Sequence, residues 1–553
     1  MTMKPLGAAL ALLLGLAGTA VTGTQSMADT ESDPPIDVTI VAPLVVPAGT
    51  TGLIPSADLA TYTGPIGVLT RELDAVIDRP VAIAIDPMII ASIRILGNAA
   101  PVSATDWLQR LASATNETFP LAYANSDLTL ELEAGASSIL QPLGFGFAID
   151  PGAFQPEATP NPTESPTPTP TATPTADAGP PPFPTTESLL AWPYTEPTLA
   201  WPVEGTVANS SLAGLTAAGY ETTIVSSGNV AADAPGGNAA SNAGKHSVLI
   251  SDDAVSALLR EAATAPTVES WADAVSRLTA AVDGARAAAN GGERSLVITL
   301  DRDVPRLGSR ISETIDAITA MTTVTQAPLS TALGAARSTV TITDAGHAAD
   351  QVTAITHVVQ AEVGEAQFAT VLDDPLALTA ERRLHVLAMF AMDWQSNASG
   401  WQNAIDEFVA QSTALRTSVQ VAESSTLNLY TNLKPIPINV NNTSSYPITV
   451  YITVRPRTGI LKVEDDLVEL TIAANSQGKG EIPVQAITNG TVVVDISLSS
   501  GTGVPIGHPT TVEINVQASW ETPITIGLAA LVVAFFAFGI VRTVLRRRKA
   551  RRE

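Results

Sequence analysis

An uncharged apolar run of 18 residues, 524–541, is followed at once by seven basic residues: Arg542, Arg546, Arg547, Arg548, Lys549, Arg551 and Arg552. At about 1.5 Å per residue, a helix over that run spans about 27 Å, close to the hydrocarbon thickness of a bilayer. Val544 and Leu545 extend it, Pro523 stands where a helix starts, and Trp520 sits at the outer interface. A buried core helix has no reason to end in a basic cluster, whereas the cytoplasmic end of a membrane span does. The run therefore predicts one transmembrane helix over 524–545, a basic cytoplasmic tail over 546–553, and a single-pass chain whose remaining residues lie outside the cell membrane.

The other end agrees. Lys4 gives a positive start, residues 6–16 an apolar stretch too short to span, and small residues follow, with cleavage expected after Ala20 or Ala28. Residues 1–28 thus read as a signal peptide. The chain has no cysteine, which excludes structural disulfides and thiolate metal sites. Its formal net charge is -25. Removing the seven tail cations from the 29 basic residues, and Glu553 from the 54 acids, leaves 22 against 53 upstream. Such a surface repels phosphate backbones, so no nucleic-acid partner is expected.

Between the ends, 553 residues are too many for one core. Residues 33–416 alternate short apolar strands with helices. Strands are expected over 37–46, 80–85, 120–123, 198–203, 222–226, 246–250, 295–300 and 339–343. The helices between them include 68–77, one capped by Thr105, 211–217, 252–262, 268–288 and 307–321. About eight parallel strands in such alternation predict an α/β fold, a (β/α)-barrel-like ectodomain. The segment 158–184, ATPNPTESPTPTPTATPTADAGPPPFP, has too much proline to form a packed element and reads as a polyproline-II strap. It is expected to be an insertion in that one domain, the alternative being a linker between two. Residues 349–416 are helical in pattern. From 424 to 519 the period changes to two, with seven short strands between Asn, Gly, Ser and Pro turns. That predicts an all-β, Ig-like sandwich.

Barrel sites lie at the C-terminal ends of strands. The carboxylates there are Asp86, Asp127, Glu204, Asp252 and Asp301, and a glycosidase would need two of them close together, one with a raised pKa. Each also has a structural reading: Asp252, next to Asp253, is placed to cap a helix, and Asp301-Arg302-Asp303 to form a local ion pair. Tyr123 and Trp201, with Trp192 and Tyr194 nearby, are placed to stack on sugar rings or to fill the core mouth. Of the five histidines, His246, His347, His357, His385 and His508, no two are three to five apart. The close pair of a deacetylase metal site is missing, and no metal or cofactor is expected.

The strings VAIAIDP at 81–87, WLQRL at 107–111, PLAYANSD at 120–127 and LAWP at 199–202 resemble an uncharacterised actinobacterial membrane-protein family, DUF6049. The sandwich and basic-tailed anchor follow in that family's order. The resemblance implies a cell-envelope role, since members are often encoded near a lipid II flippase; it implies no defined activity. The Pro-rich strap and sparse basic content depart from the pattern. The barrel half is also distantly similar in fold to the glycoside hydrolase and polysaccharide deacetylase superfamily. The expected function is that of a membrane-anchored, non-enzymatic envelope protein binding a cell-wall glycan, lipid-linked precursor or protein partner. The alternative is a carbohydrate hydrolase or deacetylase-like enzyme using the strand-end carboxylates.

Overall fold

The computed structural model describes residues 34–154, 183–231, 237–289, 294–302, 308–422, 426–429, 433–465, 467–517 and 521–549. The expected signal peptide, nearly all of the 158–184 strap, Asp303 and Trp520 lie outside them.

Ten strands form the first sheet among the described residues: β1 (Ile36–Leu44), β2 (Val81–Ile85), β3 (Thr118–Pro120), β4 (Leu199–Ala200), β5 (Thr222–Ser226), β6 (Ala240–Ala243), β7 (His246–Ser251), β8 (Ser295–Thr299), β9 (Val324–Gln326) and β10 (Ser338–Val340). Parallel pairing runs β4–β5–β7–β8–β1–β2–β3. β9 is parallel to β1, β6 antiparallel to β7, and β10 parallel to β6.

β1 is buried nearly throughout, which explains its unbroken apolar run: both faces are covered. Val38, Ile40, Ala42 and Leu44 pack with the surrounding helices in the largest core. Val41 points the other way, into a cluster with Ala84 of β2, Phe119 of β3, Leu199 of β4, Ile224 of β5, Leu249 of β7 and Val297 of β8. That cluster takes a side chain from every strand of the parallel path. β3 and β4 are not paired as strands, yet the chain entering β4 bonds to β3. Thr195 N and Glu196 N donate to Thr118 O at 2.9 and 3.0 Å.

The sequence reading needs several corrections. Thr105 caps nothing: the helix Val102–Ser113 begins at Val102, and the Thr105 hydroxyl donates to Val102 O within it. Trp107 of that helix is buried and donates its indole N–H to Leu69 O at 3.0 Å. The third strand ends at Pro120, because the chain then turns sharply at 123–125. β6 has the sequence ASNA, with no apolar run to betray it. The short helices Ser56–Tyr62 and Leu128–Glu133 were also unforeseen.

Helices Ala349–Ala369, Leu376–Met389 and Ala398–Arg416 complete this half. Glu365, 1% exposed, is paired there with Arg382. Two further sheets follow, ordered β11 (Val419–Val421), β13 (Leu433–Asn442), β17 (Ser476–Ala486), β15 (Leu461–Val463) and β12 (Leu427–Leu429), β19 (Pro505–Val516), β18 (Gly490–Ser499), β14 (Ile448–Pro456), β16 (Val468–Ile472). β14 alternates buried and half-buried residues, as a strand with one covered face must. The two sheets share one core, which also takes in Phe368, Val371, Leu372 and Leu378 from the helical segment. Thr449 N donates to Val371 O at 2.8 Å, tying β14 to that segment. The last helix, Glu521–Lys549, exposes its apolar side chains, including Phe535 and Phe536, and is long and apolar enough over 524–548 to cross a membrane once.

Candidate functional site

The turn after β3 organises the strand ends. Ala124 and Asn125 both have positive φ, 59° and 49°, a region that costs a residue with a Cβ about 1–2 kcal/mol. Three contacts hold it. Asp86, at the end of β2, accepts from Met88 N at 2.8 Å and from Ala124 N at 3.0 Å, so one carboxylate caps a helix and fixes the turn. Tyr123 donates its hydroxyl to Gly52 O at 2.7 Å. Asp127 N donates to Phe390 O at 2.9 Å. Burial pushes the Asp86 carboxyl up to about 7, against the main-chain donors and the nearby Arg302 charge.

Asp127 caps the helix Leu128–Glu133 through Thr129 N and Leu130 N, and its other oxygen lies 2.7 Å from His347 Nε2. His347 Nδ1 lies 3.2 Å from Glu133 Oε2. For His347 burial opposes the charge, but the bonds and charges of Asp127 and Glu133 outweigh it and raise its pKa. Burial likewise opposes the Asp127 charge, and His347 with the Thr129 and Leu130 donors outweighs it, holding that carboxyl below its ordinary range. Glu131, one turn on, is wholly buried, and burial pushes it up to about 8. It accepts from Ser126 Oγ at 2.6 Å and Leu140 N at 2.7 Å.

Beside this acid cluster opens a cleft of about 620 Å³. Asp127, Glu204, His347 and Gln351 line one part, and Trp394, Gln395, Trp401 and Gln402 another. Trp394 and Trp401 are half-buried. Their indole N–H groups donate to Ala388 O and Met389 O, each at 2.8 Å. With the polar edge of each ring engaged by main chain, each indole is held in place and contributes apolar surface to the cleft. Trp394 also borders a second cavity of about 200 Å³, at the ends of β1 and β8, with Val46, Glu72, Arg302 and Asp393.

Two of the five carboxylates read from the sequence, Asp127 and Glu204, therefore meet at one cleft. Both are engaged by basic partners: Asp127 by His347, which with the helix donors holds its carboxyl below the ordinary range, and Glu204 by both terminal nitrogens of Arg260, one at 2.7 Å. Asp301 pairs with the same Arg260 at 3.0 Å, and the Arg302 guanidinium lies 4.8 Å over the Trp201 ring. Asp252 caps the helix Asp253–Thr264 through Val255 N. Asp86 and Glu131, the wholly buried carboxyls that burial pushes up, do not line the cleft, nor does Glu196, whose carboxyl is also raised. Tyr123 and Trp201 are core residues, 2% and 5% exposed, packed on Phe145 and Phe119. Trp192 lies apart, under Arg94. His357 is exposed on its helix, and no group of three His, Asp or Glu suited to a metal ion occurs among the described residues. Sequence reasoning missed Glu131, His347 as a clamp, and the role of Trp394 and Trp401. Two tryptophans seven residues apart beside a helix were the only available signal for the last.

The family of unknown function DUF6049 has a model that matches residues 9–552. The chain belongs to DUF6049. No curated protein matches it. Among solved structures, this DUF6049 chain is similar to native Escherichia coli alpha-2-macroglobulin (15% identity, 18% of this chain and 7% of that chain, TM-score 0.16). It is also similar to WR4, an MSP family member of C. elegans (12% identity, 18% and 98%, TM-score 0.15). A third likeness is to the E. coli chaperone DraB (12% identity, 18% and 55%, TM-score 0.14). The chain thus spans only a small fraction of the alpha-2-macroglobulin, and each likeness covers under a fifth of the DUF6049 chain.

Proposed function

We propose that this chain is a membrane-anchored envelope protein whose extracytoplasmic domain binds an uncharged glycan in the Trp394–Trp401 cleft and does not cleave it. The fixed indoles carry the reading. Sugar rings present apolar C–H faces that stack on aromatic surface, and their hydroxyls need groups that both donate and accept. Gln351, Gln395 and Gln402 border the cleft with such amides. The carboxylates favour binding over hydrolysis, because the two at the cleft, Asp127 and Glu204, are engaged by His347 and Arg260, and the raised carboxyls of Asp86 and Glu131 are enclosed elsewhere. The pairing path from β4 round to β3, joined by the Thr118 contacts, supports a distorted parallel barrel with the 158–184 strap inserted in it. The two-sheet unit suits an Ig-like stalk between that barrel and the membrane.

Hydrolysis is the second reading, favoured by one observation: Asp127 and Glu204 border the same cleft. It requires new reducing ends from a bound oligosaccharide, lost in Glu204→Gln. Binding without cleavage, weakened by Trp401→Ala, supports the first reading instead. Topology is tested with single cysteines introduced into the chain, which has none of its own. A membrane-impermeant maleimide on intact cells is expected to label Glu269→Cys and to spare Ala550→Cys; the opposite pattern overturns the orientation.

A further inference from the structure

We infer that His347 is a proton-operated latch on the cleft wall: protonated, it pins the start of the helix Ala349–Ala369 to the helix Leu128–Glu133, and deprotonated it releases it. Its consequence for ligand rests on the glycan reading of the cleft.

The 21-residue helix begins after Ala348 with no side chain capping it. What fixes its start is the residue before that cap. His347 contacts Asp127 through Nε2 at 2.7 Å and Glu133 through Nδ1 at 3.2 Å, and its main-chain N–H donates to Glu133 Oε2 at 3.1 Å. Gly346 permits the approach: a Cβ there would lie 2.8 Å from Glu133 Oε1. His347, Ala348, Asp350 and Gln351 all line the cleft, so movement of this first turn reshapes its wall.

Only an imidazolium has a proton for each carboxylate. A neutral ring turns one lone pair toward an anion. The two acids are not equally free to respond. The Asp127 side chain is 3% exposed and held by Thr129 and Leu130, whereas Glu133 is 23% exposed and can turn to water. Loss of the proton therefore opens the Glu133 side. The other titratable and charged groups around the latch are Glu131 beside Asp127, uncharged where the latch is closed, Arg383 facing Glu131, Asp344 and Asp350 flanking His347 in the chain, and the Glu204–Arg260 pair at the cleft. Acids outnumber bases there, which favours the closed, protonated form. With the His347 pKa raised, the latch is fully formed below the ordinary histidine range and is lost as pH rises through the raised value.

The test is amide hydrogen exchange of peptides covering 343–356 in the full chain in detergent, at pH 6 and pH 9, corrected for intrinsic rates. Binding of the N-acetylglucosamine tetramer is measured in parallel. In the wild type, protection is expected to fall about tenfold between the two values, and binding to weaken at least about threefold. His347→Gln should be flat in both. Glu133→Gln, which keeps an acceptor but removes a charge, should shift the step to lower pH. Wild-type protection equal at both values, or an unchanged step in a folded His347→Gln, overturns the latch. A wild type that shows the exchange step yet binds no tetramer supports the latch and contradicts the glycan reading. Equal binding with flat exchange does the reverse.

Discussion

The Asp86 carboxylate accepts the amide of Ala124, 3.0 Å away, and so holds a left-handed residue at the end of β3 from the end of β2. The strain at Ala124 is local, and its cost is testable. Ala124→Gly removes the Cβ that disfavours φ of 59° and is expected to change stability by less than about 1 kcal/mol, in the stabilising direction. Ala124→Val, β-branched at a 3% exposed site, should cost about 2 kcal/mol or more. Denaturant melts of the two variants check this; a tolerated valine contradicts it.

Glu131 predicts how stability depends on pH. Its folded pKa, about 8, lies above the ordinary 4.5, and that of Asp86, about 7, above 3.8. A group raised on folding contributes stability that is complete below its unfolded pKa and is lost as pH rises through the folded one. The protein should therefore melt higher at pH 5 than at pH 9, by on the order of a few kcal/mol for the Glu131 carboxyl. In Glu131→Gln the amide can donate to Ser126 Oγ and still accept from Leu140 N. That variant should match the wild type at pH 5 and exceed it at pH 9. Steps of equal size in both proteins would clear Glu131 of the effect.

The two sides of the strap should stay together when it is cut. Arg94 donates to Leu189 O and Ser188 O, both at 3.1 Å, just after the strap. Gly97 lies against Ala153, just before it: a Cβ would come within 2.5 Å of Ala153 O. A protease site placed between Thr167 and Pro174 should give two fragments that co-elute on a sizing column. Arg94→Ala should let them part at lower denaturant. Separation of the wild-type fragments in buffer would favour two domains.

The elements visible in the sequence were those whose local pattern carried them. Thr222–Ser226 stands where the apolar run placed it, and Asp252 sits before a helix as a capping residue does. The cleft was not visible, because its parts are far apart in the chain. Asp127 and His347 are 220 residues apart, and neither reveals the other by spacing. Nothing local in the sequence singles out Glu131; only the packing of Leu140 and Ser126 around it shows that it is enclosed. Tyr123 and Trp201 stand at strand ends, where the sequence left open whether they stack on sugars or fill the core mouth. Their rings fill the core, and the indoles that border the cleft come from the helical segment after the sheet.

Asp252 offers a control. It caps through Val255 N and does not line the cleft, so Asp252→Ala should cost about 1 kcal/mol and leave ligand affinity unchanged. Loss of binding in a folded Asp252→Ala protein would place function at the strand ends after all.

The most direct measurement is calorimetric titration of the full chain in detergent with an uncharged N-acetylglucosamine tetramer at pH 6, with mass spectrometry of the sugar afterwards. The account predicts saturable binding, weakened at least about tenfold by Trp401→Ala in a protein whose melt remains cooperative, and an intact tetramer at the end. No binding by the wild type, or shortened sugars that persist in Trp401→Ala and vanish in Glu204→Gln, would contradict it.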